Sequence, residues 1–237
     1  MKRIGIIGGM SFESTAHYYE RINRQISELA GGFCSADLVV RSVNFQKYHD
    51  LMDKDDWATI SLRLLLETSN LVDGYKCDYV AIATNTMHKV ADELYGYPLV
   101  HIGDCVAEKC REVGAKRVAL LGTRFTMEED FMKKRLEANG LEVVDCLKED
   151  DIHKIDQIIF EDLCHGRVMS DAKIYLQTLC NDLISGGYDL DGVILGCTEL
   201  EMALDEPIRN RYLERDGFYL FDTTQAHVDK IVQLSLS

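Results

Sequence analysis

The feature that most constrains the fold of this chain is an internal repeat. The segment "KRIGIIGGM" at residues 2–10 matches "KRVALLGTR" at residues 116–124, at an offset of 114 residues. The segment "LVDGYKCDYVAIATNT", which ends at Thr86, matches "LISGGYDLDGVILGCTE", which ends at Glu199, at an offset of 113 residues. Two long matches at nearly one offset indicate a duplicated unit of about half the chain.

The apolar pattern of each half predicts alternating strands and helices. Short continuous apolar runs predict parallel strands covered on both faces, near 3–8, 37–43, 78–83, 98–102, 117–122, 142–146, 191–196 and 218–221. Helical periodicity falls near 13–29, 57–72, 86–95, 104–113, 127–139, 152–165, 171–185 and 223–234. Residues that stand at or near candidate helix N-caps are Ser11, Asp104, Thr126, Asp150, Ser170 and Asp222. This pattern predicts an α/β fold built from right-handed crossover units.

Composition narrows the class of protein. A content of 46% hydrophobic and 28% charged residues is typical of a globular domain. The formal net charge of −14 speaks against nucleic acid or an anionic membrane as a partner. No apolar run has the length of a membrane span, and the N-terminal residues do not resemble a signal peptide. We therefore expect a cytoplasmic protein.

The chain contains eight cysteines, and their spacing fits neither a CxxC pair nor a zinc framework. In a reducing compartment we expect all of them to be free thiols, and seven of them to be packing residues. No metal site is predicted from the scattered histidines.

Ligands of parallel sheets bind beyond the carboxyl ends of the strands, and four loops occupy such positions here. They lie at residues 8–11, 84–88, 122–126 and 197–199. If the two halves face each other across a cleft, Thr84 and Cys197 would approach one small ligand from opposite sides. The glycine turns at Gly8 and Gly122 do not have the dinucleotide-binding spacing, so we expect tight turns there. The backbone amides that follow each turn either bind a carboxylate or have a purely structural role.

Each candidate residue also has a purely structural interpretation. Cys197 is either a buried core thiol or, near a helix N-terminus, a thiol whose pKa falls from ~8.5 toward neutrality and suits a proton-transfer base. The structural interpretation of Thr84 is an N-cap of the helix that begins near 86, and the same hydroxyl can serve in an active site as well. His88 is expected to be a satisfied, partly buried imidazole. His101 and Asp104 are expected to contact the site residues rather than the ligand itself.

Four segments carry a resemblance to a known family: "GIIGGMSFEST", "TNTMHKVAD", "LLGTRFTMEEDF" and "LGCTELEM". Together, and in this order along the whole chain, they resemble the aspartate/glutamate racemase family, most closely its broad-specificity branch. The resemblance implies two similar Rossmann-like domains, with parallel four-stranded sheets related by a pseudo-twofold repeat and an active site in the cleft between them. We expect these domains at 1–103 plus 222–237 and at 104–221. It also implies a homodimer, and a reaction without pyridoxal phosphate, another cofactor or a metal.

The resemblance further implies a mechanism. Family racemases place one cysteine on each face of a dicarboxylic amino acid, so that one thiolate removes the Cα proton and the other thiol returns one. Cys197 matches the second cysteine, whereas Thr84 occupies the place of the first. A hydroxyl is a much weaker acid than a thiol, so we expect Cys197 to be the base, Thr84 to be its partner on the opposite face, and L-aspartate or L-glutamate to be favoured.

Substrate-binding positions are also implied by the resemblance. The α-carboxylate is expected at a group of loop residues, and the side-chain carboxylate at Thr123 and Thr126. The loop residues are Gly9, Met10, Ser11, Asn85, Thr86 and Thr198. Glu199 is also expected to contact the substrate. A family lysine falls on Cys164 here, and Arg124 or Lys154 would have to compensate for its charge.

Two other functions remain open at this point. A single-cysteine lyase, similar to arylmalonate decarboxylase, would keep Cys197 and lack the first thiol, although the polar "TNTMH" loop does not suit its apolar pocket. A non-catalytic amino-acid sensor would keep the cleft and lose one base.

Overall fold

A computed structural model describes the chain from Met1 to Ser237, and the side chains of all residues except 206, 211 and 214–216. The chain divides into two compact units. Unit 1 contains Met1–Ile102 and His227–Ser237, and unit 2 contains Gly103–Ala226. None of the described helices combines the length and the apolar character that crossing a bilayer requires.

Unit 1 alternates strands with helices. Its strands are β1 (Ile4–Gly8), β2 (Leu38–Ser42), β3 (Tyr79–Ile82) and β4 (Leu99–Val100). Its helices include α1 (Phe12–Ala30), α2 (Gln46–Met52) and α3 (Trp57–Ser69), followed by a π-helical turn at Asn70–Gly74 and a 3₁₀ helix at Thr86–Leu94. On α1, the buried residues Tyr18, Ile22 and Ile26 recur every four positions, so one face of the helix packs on the sheet.

Unit 2 has the same alternation of strands and helices. Helix α4 (Ile102–Glu112) begins at the first boundary between the units, and helix α11 (Thr223–Leu236) crosses the second. Its strands are β5 (Arg117–Gly122), β6 (Glu142–Val143), β7 (Gly192–Gly196) and β8 (Tyr219–Asp222). Its helices are α5 (Arg124–Glu128), α6 (Asp130–Ala138), α7 (Glu149–Glu161), α8 (Ser170–Ser185), α9 (Leu200–Ala203) and α10 (Glu206–Asp216), with a 3₁₀ turn at Leu163–His165.

The two sheets have the same topology. Strand order is β2-β1-β3-β4 in unit 1 and β6-β5-β7-β8 in unit 2, and all six strand pairs are parallel. The predicted α/β class with two four-stranded parallel sheets is therefore confirmed. In this topology β1 and β3 correspond to β5 and β7, which is the equivalence that the sequence repeat predicts.

Several predicted elements differ from the structure. The strands predicted near 98–102 and 142–146 have only two paired residues each, and the first of them ends early because α4 begins at Ile102. The helix predicted near 127–139 is two helices, α5 and α6, separated at Glu129, whose backbone is extended. Helices α2, α9 and α10 were not predicted, because they are short or polar and carry little apolar periodicity.

The N-cap predictions were confirmed at Ser11 and Asp222. The Ser11 hydroxyl accepts from the Ser14 amide, and the Asp222 carboxylate accepts from the Gln225 amide. The other four predicted residues lie in the first turn of a helix and are near the cap rather than at it. Thr123 rather than Thr126 caps α5, Lys148 rather than Asp150 precedes α7, Met169 rather than Ser170 precedes α8, and Asp104 lies inside α4. The Asp104 carboxylate instead forms a salt bridge with Arg135.

Candidate active site

The loop after β1 is held in place by its own side chains. The Thr15 hydroxyl accepts a hydrogen bond from the Gly9 amide at 2.7 Å and donates to the Ser11 carbonyl at 2.9 Å. Gly9 has φ +91°, and a Cβ atom there would lie 2.3 Å from the Val43 carbonyl oxygen. Only glycine fits at this position. The turn after β1 is thereby fixed against the segment that follows β2.

Met10 and Ser11 follow Gly9 in this turn, and both are buried. The Ser11 hydroxyl caps α1 by accepting from the Ser14 amide at 3.2 Å. The Ser14 hydroxyl donates to the Ala83 carbonyl at 3.2 Å, which ties the loop after β1 to the end of β3. The first two predicted loops therefore lie together in unit 1.

Thr84 ends a strand but does not cap the following helix. The helix begins after Asn85, and no side-chain cap bond forms at that position. The backbone of Thr84 is held at both ends: its amide donates to the Ile82 carbonyl at 2.8 Å, and its carbonyl accepts from His88 at 2.8 Å. The structural interpretation of Thr84 as an N-cap is therefore wrong. Its side chain, like those of Asn85 and Thr86, lies in a largely buried position.

His88 confirms the expectation of a satisfied buried imidazole. Its Nδ1 lies 2.8 Å from the Thr84 carbonyl oxygen, and its Nε2 lies 3.3 Å from the Ile102 amide nitrogen. Its ring also stacks edge-on against His101, with 4.5 Å between the ring centroids. A histidine with both nitrogens engaged by the backbone is poorly suited to accept a proton from a substrate.

In unit 2 the loop after β5 presents two buried threonines. Thr123 caps α5 by accepting from the Thr126 amide at 3.4 Å, and the two hydroxyls lie 3.2 Å apart. A Cβ atom on Gly122 would lie 2.7 Å from the Gly196 carbonyl oxygen, so β5 and β7 approach closely where they end. The loops that carry Thr123 and Cys197 therefore start side by side.

The loop after β7 places a thiol and a hydroxyl on one carboxylate. The Cys197 thiol lies 3.1 Å from Glu199 Oε2, and the Thr198 hydroxyl donates to the same oxygen at 2.6 Å. The Cys164 thiol lies 3.9 Å from Glu199 Oε1. All three residues of the 197–199 loop are buried. Glu199 is therefore the centre of a polar cluster that holds two thiols and one hydroxyl.

Of the two interpretations of Cys197, the structure favours the buried thiol, because its surroundings raise its pKa well above the ordinary value rather than lowering it. Burial is the largest cause, and the negative charge of Glu199 is the next. Any helix-terminus effect from α9 is small, because this helix has only four residues. At rest Cys197 is therefore a neutral thiol that donates to the Glu199 carboxylate, and a thiolate forms only when that proton leaves.

The contact of the Cys164 thiol with Glu199 was not predicted from the sequence. Burial and the Glu199 charge raise the Cys164 pKa as well. The two cations expected to compensate for the absent lysine make other interactions: Arg124 lies 3.9 Å from Glu128, and Lys154 donates to Gln157 at 3.3 Å. The spacing of "GCTE" is the only sequence signal for the Cys197–Glu199 contact, and no local signal identifies Cys164. In the described part of the chain, no group of three or more His, Cys, Asp or Glu side chains is arranged to hold a metal ion.

The chain is similar in sequence to known amino-acid racemases. A family model described as Asp/Glu/Hydantoin racemase matches residues 7–231. The broad specificity amino-acid racemase RacX of Bacillus subtilis (strain 168) is 27% identical over 211 residues, which are 85% of this chain and 87% of RacX.

Two solved structures cover this chain and their own chains completely. A candidate Asp/Glu racemase from Yersinia pestis is 34% identical with a TM-score of 0.87. An aspartate racemase homologue from Pyrococcus horikoshii OT3 is 33% identical with a TM-score of 0.80.

Proposed function

Because the chain belongs to the Asp/Glu/hydantoin racemase family, we propose that it is an amino-acid racemase that acts on aspartate, glutamate or both. The observation that carries this proposal is the equivalence of Thr84 and Cys197. Each follows the third strand of its own four-stranded sheet, and the same sequence repeat relates them. A reaction that inverts Cα needs one proton-transferring side chain for each face of the substrate, and this pair supplies two.

Cys197 is the base that removes the proton of the L-enantiomer. Its thiol proton first passes to Glu199 Oε2, which lies 3.1 Å away. The resulting thiolate then takes the Cα proton, and Glu199 releases the extra proton to solvent. The thiolate exists only while Glu199 holds the proton, because burial and the carboxylate charge otherwise favour the neutral thiol.

This proton transfer changes the role assigned to Glu199. The sequence predicts it as a substrate-binding residue, but a carboxylate repels the carboxylates of aspartate and glutamate. Its contacts with the Cys197 thiol and the Thr198 hydroxyl instead suit a proton acceptor. We therefore propose that Glu199 acts with Cys197 rather than as an anchor for a substrate carboxylate.

Thr84 serves the opposite face. Its hydroxyl hydrogen-bonds to the carbanion or hands it a proton, and then regains that proton from water. A hydroxyl ionises far less readily than a thiol of pKa ~8.5, so this face is the slower one. The equilibrium constant between mirror-image substrates is one, so kcat/KM must be equal in the two directions. A preference for L-substrates therefore does not appear in kcat/KM. It appears as kcat and KM values that differ between the two enantiomers by the same factor, and as faster proton exchange of the L-enantiomer.

The remaining polar loop residues bind the substrate. We propose that Gly9 shapes the first loop while Met10, Ser11, Asn85, Thr86 and Thr198 form the α-carboxylate site, and that Thr123 and Thr126 face the side-chain carboxylate. Hydroxyl and amide donors match carboxylate acceptors. We further propose that the protein acts as a homodimer, and that the reaction needs neither pyridoxal phosphate nor a metal.

The experiment follows the Cα proton in D2O. The protein is incubated with L- and D-aspartate and L- and D-glutamate, without pyridoxal phosphate and with EDTA, and NMR and chiral chromatography report two rates. The first is exchange with retention, in which the L-substrate gains deuterium and stays L. The second is inversion. We expect both exchange with retention and inversion with at least one of the four amino acids. Absence of exchange with all four would favour a non-catalytic amino-acid sensor.

Substitutions at Cys197 and at Thr84 distinguish the two faces of the substrate. Cys197→Ser should lower both rates by ~10²–10⁴-fold, the usual contribution of a positioned general base. Thr84→Ala should abolish inversion while the L-substrate still exchanges with retention, and Thr84→Cys should speed proton removal from the D-enantiomer. Cys180→Ser is the control, because Cys180 is a buried thiol in the core of unit 2. Unchanged inversion in Thr84→Ala would contradict the role of Thr84.

A further inference from the structure

His88 bridges two backbone segments of unit 1. Its ring is almost fully buried, at 3% exposure, between the carbonyl of Thr84 and the amide of Ile102. Thr84 follows β3, and Ile102 begins α4 just after β4. The two strands are neighbours in the sheet, with Ala81 opposite Val100. One imidazole therefore joins the ends of two adjacent strands.

The two partners define the protonation state of the ring. A carbonyl oxygen only accepts hydrogen bonds and a backbone amide only donates them. Nδ1, which faces the Thr84 carbonyl, must therefore carry the hydrogen, and Nε2, which faces the Ile102 amide, must offer its lone pair. This is a neutral imidazole in a single tautomer. Protonation of Nε2 would turn the Ile102 contact into two facing donors.

A second buried histidine holds the same strand end. His227 Nε2 donates to the Val100 carbonyl at 2.9 Å, and its Nδ1 accepts from the Tyr18 hydroxyl at 2.9 Å. Burial lowers the pKa of His227 to about 3, so this ring is also neutral near pH 7. The carbonyl of Val100 and the amide of Ile102 are thus each bound by a neutral histidine, and the end of β4 is a rigid support for His88.

We propose that His88 is a positioning residue that holds Thr84 in the geometry for proton transfer at its face of the substrate. The role rests on the function proposed above for Thr84. The Thr84 amide is bonded to Ile82 and its carbonyl to His88, so the backbone is held on both sides of Cα and the direction of the Cα–Cβ bond is restrained. Loss of the His88 bond frees the carbonyl end of Thr84 and lets its hydroxyl shift.

Two substitutions separate the two bonds of His88. Asn places its side-chain amide nitrogen near the position of Nδ1, so His88→Asn keeps a donor for the Thr84 carbonyl and loses the acceptor for Ile102. Gln places its amide oxygen near the position of Nε2, so His88→Gln keeps the acceptor for Ile102 and loses the donor for Thr84. Asn is the smaller side chain and leaves the larger cavity, so a purely structural role of His88 predicts greater damage from His88→Asn.

The measurement is the ratio of inversion to exchange with retention for the L-substrate in D2O. This ratio does not depend on how much of the protein is folded. We expect His88→Gln to lower it by ~10²-fold, the scale of a displacement of about 1 Å in a reacting group, and His88→Asn to keep it within about threefold of the wild type. An unchanged ratio in His88→Gln, or equal losses in both variants, would overturn the proposal.

A second measurement does not depend on activity. Long-range ¹H–¹⁵N correlation spectra of the histidine rings report the tautomer of His88 in the wild-type protein. A hydrogen on Nδ1 supports the bridge, and a hydrogen on Nε2 overturns it. If the wild-type protein exchanges no amino acid in D2O, the proposed function fails and the positioning role fails with it. If the wild type exchanges and the Gln variant keeps its ratio, only the role of His88 fails.

Discussion

At the scale of single residues, the reactivity of Cys197 depends on the carboxylate beside it. The thiol is buried and donates to Glu199 Oε2, and both burial and the carboxylate charge raise its pKa. In the proposed mechanism Glu199 thus has two opposing effects: its charge disfavours the Cys197 thiolate in the resting protein, and its carboxylate accepts the thiol proton during turnover. A variant that removes only the charge can measure both effects.

Glu199→Gln is this variant, because it keeps the size of the side chain and an oxygen that can accept from Thr198. Without the carboxylate charge the Cys197 pKa should fall, so iodoacetamide should alkylate Cys197 faster at a fixed pH. Racemisation should nevertheless fall by ~10²–10⁴-fold, because the proton acceptor is lost. Mass spectrometry of the peptide that contains Cys197 distinguishes its alkylation from that of the exposed Cys34. Slower or unchanged alkylation would contradict this account of the pKa.

At the scale of elements, the loop after β1 depends on the close approach of two backbone segments. Gly9 and Gly96 share φ +91°, and both belong to unit 1. A Cβ atom on Gly9 would meet the Val43 backbone at 2.3 Å, whereas one on Gly96 would meet nothing within 4 Å. The two glycines therefore separate the cost of the backbone conformation from the cost of the clash.

Gly96→Ala should lower the free energy of unfolding by about 1–2 kcal/mol, the cost of a left-handed conformation for a residue with a Cβ atom, and leave activity intact. Gly9→Ala should cost clearly more, because the loop must also move away from Val43, and it should lower racemisation. Urea unfolding and the exchange assay measure the two effects. Equal losses of stability in the two variants would show that the clash is relieved without displacing the loop.

The hydrogen bonds of His227, on α11, to Tyr18 of α1 and Val100 of β4 predict an acid sensitivity. His227, on α11, has a pKa of about 3 in the folded protein, against ~6.5 for an unfolded histidine. Between these values only the unfolded chain takes up the proton. This contribution to stability is complete above pH ~6.5 and is lost as the pH falls, by about 2 kcal/mol between pH 7 and pH 5.

His227→Gln should remove this part of the pH dependence, whereas the exposed His153→Gln should keep it. The comparison between variants is needed because Asp222 acts in the opposite direction. Burial and the neighbouring Glu201 raise its pKa to about 7, so its contribution grows as the pH falls. Urea unfolding at pH 7 and pH 5 gives the change in the free energy of unfolding between the two pH values. An equal change in His227→Gln and His153→Gln would show that His227 is protonated in the folded state.

At the scale of the whole molecule, the two units differ in how the chain builds them. Unit 2 is one continuous segment, Gly103–Ala226, with its own sheet and its own buried core. Unit 1 needs both ends of the chain. The Lys2 amide donates to the Ser235 carbonyl at 2.8 Å, and the Tyr18 hydroxyl donates to His227.

The fragment 103–226 should therefore fold alone and unfold cooperatively, since its length is that of an ordinary domain. The fragment 1–102 should not reach a native state, because it lacks His227 and Ser235. Circular dichroism during urea unfolding measures both. The 103–226 fragment contains Cys197 and Glu199 but not Thr84, so it should show no inversion. A cooperative transition in the 1–102 fragment would contradict the dependence of unit 1 on the C-terminal residues.

The repeat, the parallel α/β class and the loops that carry the candidate residues can all be predicted from the amino-acid sequence alone. These features follow from local patterns, because continuous apolar runs define buried parallel strands and such strands end where polar residues begin. The repeat offset of 113 residues also relates Thr84 to Cys197. The domain limits, the substrate-binding residues and the dimer remain predictions.

The chemical state of the side chains at these positions depends instead on contacts that form when the chain folds. The Cys197 pKa rises rather than falls because burial and the approach of Glu199 and Cys164 depend on packing, which a local helix-terminus rule does not include. The tautomer of His88 depends on the Ile102 amide, 14 residues away in the sequence. Thr123 rather than Thr126 caps α5 because the strand before it ends at Gly122. Protonation and hydrogen bonding depend on neighbours in space, and a linear pattern does not specify those neighbours.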